Sequence, residues 1–221
     1  MSTNARFTIA EEASSVRQQE QRGLEAAFKR AIDLVGALLL LCLLSPLLVV
    51  IASLIVITDG VPIIYRRRVL GKEGEFDAYK FRSMCRDADA ILEANPKLRN
   101  EFTRNFKLQS DPRVTRLGGW LRKYSLDELP QLFNVLRGQM SLVGPRMITA
   151  PELAKYGEYQ DLLKTVKPGL TGYWQTRGRQ ETTYDERVHM DVHYITHQTL
   201  GLDLLILLQT PWTVIKGKGA Y

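Results

Sequence analysis

The chain has 221 residues, 45% of them apolar, with 30 Lys plus Arg against 24 Asp plus Glu, a formal charge of +6. Part of the apolar content is one continuous block, which leaves a single modest soluble domain, and the positive balance favours an anionic partner: phospholipid, nucleic acid or a phosphorylated substrate. The two cysteines, Cys42 and Cys85, lack the spacing of a disulfide framework or a zinc ribbon, which excludes the disulfide-stapled secreted class and suits a reducing cytoplasmic setting.

Residues 1–20 are polar without apolar periodicity, so a flexible N-terminal arm is expected there. Residues 21–58 hold a membrane element. From Ile32 to Ile57 the chain reads IDLVGALLLLCLLSPLLVVIASLIVI, longer than the about 20 residues that cross a core of about 30 Å. The run is too long for a signal-peptide h-region, and no small-residue cleavage site closes it. Pro46 stands near its middle, without an N–H and with its ring against the carbonyl of Cys42, so a kink is expected. The hydroxyl of Ser45 is placed to satisfy the freed backbone group. Arg22, Lys29 and Arg30 precede the block, and Arg66, Arg67, Arg68 and Lys72 follow it. Both flanks therefore take the cytoplasmic side. A single span frustrates one flank, whereas a re-entrant helix broken at Ser45-Pro46, with Lys29 and Arg30 at its mouth, satisfies both. Its arms, Ile32 to Leu44 and Leu47 to Ile57, are each about 16 to 20 Å long, too short to cross alone.

Beyond the block, VPIIYRRRV and EFDAYKF are rich in β-branched and aromatic residues around a GKEG turn, which predicts a β-hairpin. Helices are expected from Asp87 to Phe106, broken near Asn95-Pro96, from Leu117 to Lys123, and from Gln131 to Arg137. Two glycine-punctuated segments follow, MSLVGPR (140–146) and KPGLTGYWQTRGR (167–179), then helices from Thr183 to His197 and from Leu202 to Lys216. The last is apolar with Trp212 and a basic close, suited equally to a membrane surface and to a core. His189, His193 and His197 share one face of the first of these, but Met190 stands where a zinc protease helix carries Glu, so an exposed or interfacial face is expected. Arg66-Arg67-Arg68 follows the membrane block directly, which favours lipid headgroups over nucleic acid.

YSLDELPQL (124–132) sets Asp127 beside Glu128. Ser125 and Glu128 have capping-box spacing, but Pro130 opposes the Leu126 carbonyl that the box needs. If the regular helix begins near Pro130 instead, the two carboxylates occupy the tight approach to a helix N-terminus, where backbone amides collect phosphate. Being consecutive, they point in different directions and can hold different tasks. A glycosidase-like acid/base pair fits poorly, since such carboxylates flank the sugar from opposite sides.

KFRSM (80–84), DPRVTRLGGWLRKYSLDELPQLFNVLRGQMSLVGPR (111–146), KPGLTGYWQTRGR (167–179) and KGKGAY (216–221), together with the Ser-Pro break, resemble the bacterial sugar transferases, the monotopic phosphoglycosyl transferases. The resemblance runs from about Lys29 to the end of the chain. The compact form with a GAY-like ending is similar to enzymes that start exopolysaccharide or O-antigen units, often with galactose or glucose 1-phosphate. One departure is visible: Met147 follows Gly144-Pro145-Arg146 where the family usually has proline.

The resemblance implies a mixed α/β, mainly helical fold: a re-entrant helix-break-helix anchor and, over 59–221, a small cytoplasmic catalytic domain with a β-hairpin and interfacial amphipathic helices. It implies transfer of a sugar 1-phosphate from a UDP-sugar to undecaprenyl phosphate, with UMP leaving and a covalent phosphosugar on Asp127 as intermediate. Mg2+ fits this substrate, with Asp127 as the first protein ligand and Glu128 assisting the metal or managing a proton. Cations must converge on such a site, and the candidates are Lys80, Arg82, Arg113, Arg146, Arg177 and Arg179, with Trp174 and Gln175 placed for base or sugar. The implied setting is the cytoplasmic face of the bacterial inner membrane, with inner-leaflet phospholipid as partner, no nucleic acid, and a homodimer as a compatible assembly. The competing expectation is a non-catalytic membrane-bound adaptor for anionic lipid or an acidic partner.

Overall fold

The computed structural model describes residues 3–106, 108, 110–177 and 182–216, for 3–22, 104 and 105 the backbone alone. One helix, α1 (Thr3–Thr58), opens the chain. Two expectations change here. The first 20 residues are helical from Thr3 rather than a loose arm, and the residues on either side of Pro46 are helical too. The Pro46 ring deprives the Cys42 carbonyl of its usual donor, and Ser45 Oγ supplies one at 2.9 Å, which lets the helix run on. Within α1, Gly23–Thr58 is long and apolar enough to cross a membrane. Its faces differ: Leu38, Leu43, Val49 and Ile57 are exposed, while Ala37, Ile51 and Ile55 are buried.

The hairpin forms as expected, β1 (Ile64–Gly71) antiparallel to β2 (Gly74–Phe81), with Ile64 opposite Phe81 and Gly71 opposite Gly74. Val69, Phe76 and Ala78 turn inward. Asn95 divides α2 (Ala88–Ala94) from α3 (Pro96–Asn105), and its side chain accepts from the N–H groups of Lys97 and Leu98. Pro96 fits the first turn, where no N–H is missed. Thr115 caps α4 (Arg116–Lys123), whose Gly118 lies so close to Ser83 that an added Cβ would come within 2.0 Å of its carbonyl oxygen.

A 3-10 segment, Leu126–Gln131, leads into α5 (Leu132–Leu136). The fully buried Asn134 ties α5 to β2, accepting from the Tyr79 N–H at 3.0 Å and donating to the Asp77 carbonyl at 2.8 Å. The two glycine-punctuated segments contribute β3 (Ser141–Val143) and β4 (Gly169–Thr171), a parallel pair invisible at three residues each. Between them lie a 3-10 stretch, Ala150–Tyr159, and α6 (Gln160–Leu163). α7 (Tyr173–Arg177), α8 (Tyr184–Thr196) and α9 (Leu200–Lys216) complete the described chain, α8 opening on a Thr183–Glu186 capping box. α9 buries Asp203 and Ile206 and exposes Leu204, Leu208, Trp212 and Ile215.

Among the described residues the fold is therefore mainly helical with two small sheets. Ala37, Val69, Leu132, Met140, Leu142, Tyr194 and Ile206 share one core, and Ile51, Ile55, Phe81 and Leu121 a second, so α1 is part of both.

Candidate active site

Ser125, at φ +54°, turns the chain sharply out of α4 and does not form the capping box, as the proline conflict predicts. The 3-10 segment that follows places Asp127 and Glu128 in its first turn, both largely buried. Lys80, from the end of β2, donates to Glu128 Oε1 at 2.6 Å, and Arg146, from the loop after β3, donates to the same oxygen at 3.1 Å. Three separate elements thus meet on one carboxylate.

Asp127 makes no hydrogen bond or ion pair among the described residues, although Lys80, Arg122 and Arg146 lie close enough to act on it electrostatically. Burial pushes its carboxyl above the usual range, with Lys80 opposing and Glu128 adding to the rise. Burial alone would raise Glu128 too, but the charges and hydrogen bonds of Arg146 and Lys80 outweigh it and hold that carboxyl far below its usual range. Burial likewise lowers Lys80 against the pull of Glu128, while Glu128 raises Arg146. Adjacent carboxylates pushed in opposite directions mark a division of roles: a fixed anion that gathers cations, and an uncommitted, more basic oxygen.

The other expected cations are distributed differently. Arg82 Nη2 donates to the carbonyls of Asp59 and Gly60, both at 2.6 Å, and so closes the end of α1. Arg113 is engaged by Asp111 through two parallel bonds of 2.8 and 2.7 Å. Arg177 lies over the Tyr173 ring, 5.1 Å from its centre, and Arg179 falls outside the described residues. Trp174 and Gln175 do face the site's cavity. Sequence reasoning missed Arg122, which lies near Asp127; burial lowers its guanidinium while Asp127 raises it. The signal was available, since Arg122 stands in the last turn of the helix that delivers the pair. Tyr184 and Arg187 also line the cavity, and nothing near them in the chain marks them.

The histidines form a local stack, His193 on His197 at 4.4 Å, with His189 edge-on to Tyr159. Glycine packing explains the two punctuated segments: an added Cβ on Gly169 would come within 2.1 Å of the Gly144 nitrogen, and one on Gly172 within 2.3 Å of the Gly144 carbonyl oxygen. That contact seats the Arg146 loop. Behind it, Asp191 accepts from the Tyr156 hydroxyl at 2.8 Å, and the Arg146 backbone amide acts on its carboxyl electrostatically.

These groups open on a cavity of about 2320 Å³, beyond the ordinary small-molecule range of about 300–1,000 Å³. One part is charged, with Lys80, Arg122, Asp127, Glu128 and Arg146. The other is apolar, with Leu40, Leu43, Leu44 and Leu47 of α1 and Leu207, Pro211 and Val214 of α9.

A family model described as bacterial sugar transferase matches residues 24–217. The undecaprenyl-phosphate galactose phosphotransferase of Salmonella typhimurium is 40% identical over 99% of this chain and 47% of its own length. The exopolysaccharide production protein ExoY of Sinorhizobium fredii is 39% identical over 100% of this chain and 97% of its own. The UDP-glucose:undecaprenyl-phosphate glucose-1-phosphate transferase of Escherichia coli is 38% identical over 90% of this chain and 42% of its own. The chain thus spans about half or less of the Salmonella and Escherichia relatives and nearly all of ExoY.

Proposed function

The chain belongs to the bacterial sugar transferase family, and from that premise we propose that it moves a hexose 1-phosphate, galactose or glucose, from a UDP-sugar to undecaprenyl phosphate. The observation that carries this reading is Asp127: a buried carboxylate with no hydrogen-bond or ion-pair partner among the described residues, beside a glutamate that holds a lysine and an arginine. An Asp127 oxygen attacks the sugar-bearing phosphorus, the bond to the bridging oxygen breaks, and UMP leaves with the electron pair. The aspartyl-phosphosugar is then displaced by an oxygen of the lipid phosphate, which regenerates Asp127. Glu128 holds Lys80 and Arg146 where the equatorial phosphate oxygens gather charge.

The donor set suits magnesium. Asp127 and the Glu128 oxygen not bound to cations offer hard, adjacent ligands, and such an ion takes one or two carboxylates and completes its shell with phosphate and water. When bound, it supplies neutralising charge to the diphosphate.

The apolar half of the cavity suits a lipid acceptor, as the names of the Salmonella and Escherichia relatives imply. Re-entry of α1 is supported by the two flanks of its apolar stretch, which dock on one body: Lys29 donates to the Val143 carbonyl at 3.1 Å, and Asp59 accepts from Thr115 Oγ1 at 3.1 Å and, through its carbonyl, from Arg82. Ends held by one domain share one side of the bilayer, and the basic flanks make that side cytoplasmic.

The test mixes purified protein with radiolabelled UDP-galactose or UDP-glucose, magnesium and undecaprenyl phosphate. Label should enter lipid, and UMP should appear before lipid is added, in an amount no greater than the enzyme. Asp127→Asn should abolish both signals. Absence of the burst with every donor leaves the adaptor reading instead.

A further inference from the structure

Among the described residues, a small set of buried side-chain polar atoms has no hydrogen-bond partner, and four of them lie together on the cavity wall formed by α7 and α8: Trp174 Nε1, Gln175 Oε1, Tyr184 OH and Arg187 Nε. Leaving such atoms dry and unpaired is costly, and buried polar groups are otherwise almost always satisfied. A cluster of them on one wall therefore points to a ligand that completes them.

Their chemistry narrows the ligand. The indole and guanidinium N–H groups only donate, the amide oxygen only accepts, and the phenol does either. A phosphate takes donors alone, and a lipid tail takes neither. Neighbouring hydroxyls, each donor and acceptor at once, match the mixed set. Their position narrows it again. Arg146, bonded to Glu128 at 3.1 Å, has its guanidinium carbon 5.9 Å from the Trp174 ring centre, and Arg187 lies 4.9 Å from the ring centres of both Trp174 and Tyr184. The wall thus begins one arginine away from the reacting carboxylates. That is where a sugar joined directly to the attacked phosphate would lie; a base would have to reach back past a diphosphate and a ribose.

We propose that Trp174, Gln175, Tyr184 and Arg187 form the subsite that reads the hydroxyls of the transferred hexose and so selects it. This rests on the transfer reading above. Stacking of Arg187 against two rings fixes its guanidinium, and burial of Trp174 fixes the indole, so the subsite is preorganised.

The test uses the full-length protein and Tyr184→Phe and Trp174→Phe, with three probes: UDP-galactose, UDP-glucose and UMP. Tyr184→Phe removes one oxygen and threatens the fold least. For the better hexose donor, kcat/KM should fall about 10- to 100-fold, and discrimination between the two hexoses should narrow. Inhibition by UMP, which has no hexose, should change less than about twofold. Thermal shift supplies a readout independent of turnover: the UDP-hexose should stabilise wild type beyond UMP, and Tyr184→Phe should lose that excess. Equal losses for UMP and for both hexoses would show that the wall reads the nucleotide. Unchanged kinetics with a raised melting temperature would show merely unsatisfied packing, and either result overturns the proposal. A wild type that shows the excess binding but releases no UMP defeats the transfer reading while leaving the subsite in place.

Discussion

Glu128 and Asp127 are chemically similar neighbours that the fold separates by what reaches them. Two cations end on Glu128, and Asp127 keeps its oxygens. Glu128→Gln should therefore leave two largely buried cations without their anion, lowering stability by about 3 kcal/mol and slowing UMP release at least tenfold, about what one lost electrostatic contact costs. Denaturation midpoints and burst kinetics check this. At Asp191, burial pushes the carboxyl up to about 7, against Arg187, the Tyr156 hydroxyl and the Arg146 amide. A raised folded-state value means stability is fullest at acid pH, below the carboxyl's unfolded value, and drains as pH rises towards 7. Asp191→Asn removes that loss, so its melting temperature should fall less than wild type's between pH 5 and 8. The Asp-Glu pair, Lys80 and Arg146 were all legible in the sequence. Arg82 and Arg113 line the same cavity, and a sequence does not show the carbonyls and the carboxylate that also engage them.

At the scale of elements, β3 and β4 depend on a missing side chain. Gly169→Ala would drive a methyl to within 2.1 Å of the Gly144 nitrogen, so the Arg146 loop must move. Reduced stability together with reduced turnover is expected. Gly201→Ala is the control: nothing lies within 4 Å of its added methyl, and alanine favours the helix there by up to about 1 kcal/mol. Circular dichroism melts and the burst assay separate the two. The hairpin, α2 to α5, α8 and α9 were legible, each carrying its own periodicity or cap, such as Asn95 before Pro96. The three-residue strands and the 3-10 segments were not, since they arise from tertiary contact and leave no period to read. At Pro46 the residues stay helical, and Ser45 completes the carbonyl that proline leaves bare.

Across the whole molecule, α1 and the domain are joined by buried polar contacts at the base of the helix. Lys29 reaches Asp203 at 2.6 Å, Arg30 takes the carbonyls of Val135 and Leu136, and Asp33 takes the Ser141 hydroxyl and the Leu142 N–H. Cysteine probes before Lys29 and after Thr58 should therefore react only from the cytoplasm, and labelling of either from outside would mean a true span. The sequence pointed to a membrane element here, but not that this helix lines the cavity of the candidate site.

Its contribution of Leu40, Leu43 and Leu47 to the cavity, and of Ala37 to the core, changes what can be exchanged or removed. A helix of equal length and oiliness spliced in from another protein would hold the domain at the bilayer yet deprive Asp203, Ser141 and the carbonyls of α5 of the partners that α1 supplies. On the proposed function, anchoring and catalysis in this chain are one trait, inherited or lost together, and a version cut free of the helix would be missing a wall rather than a leash.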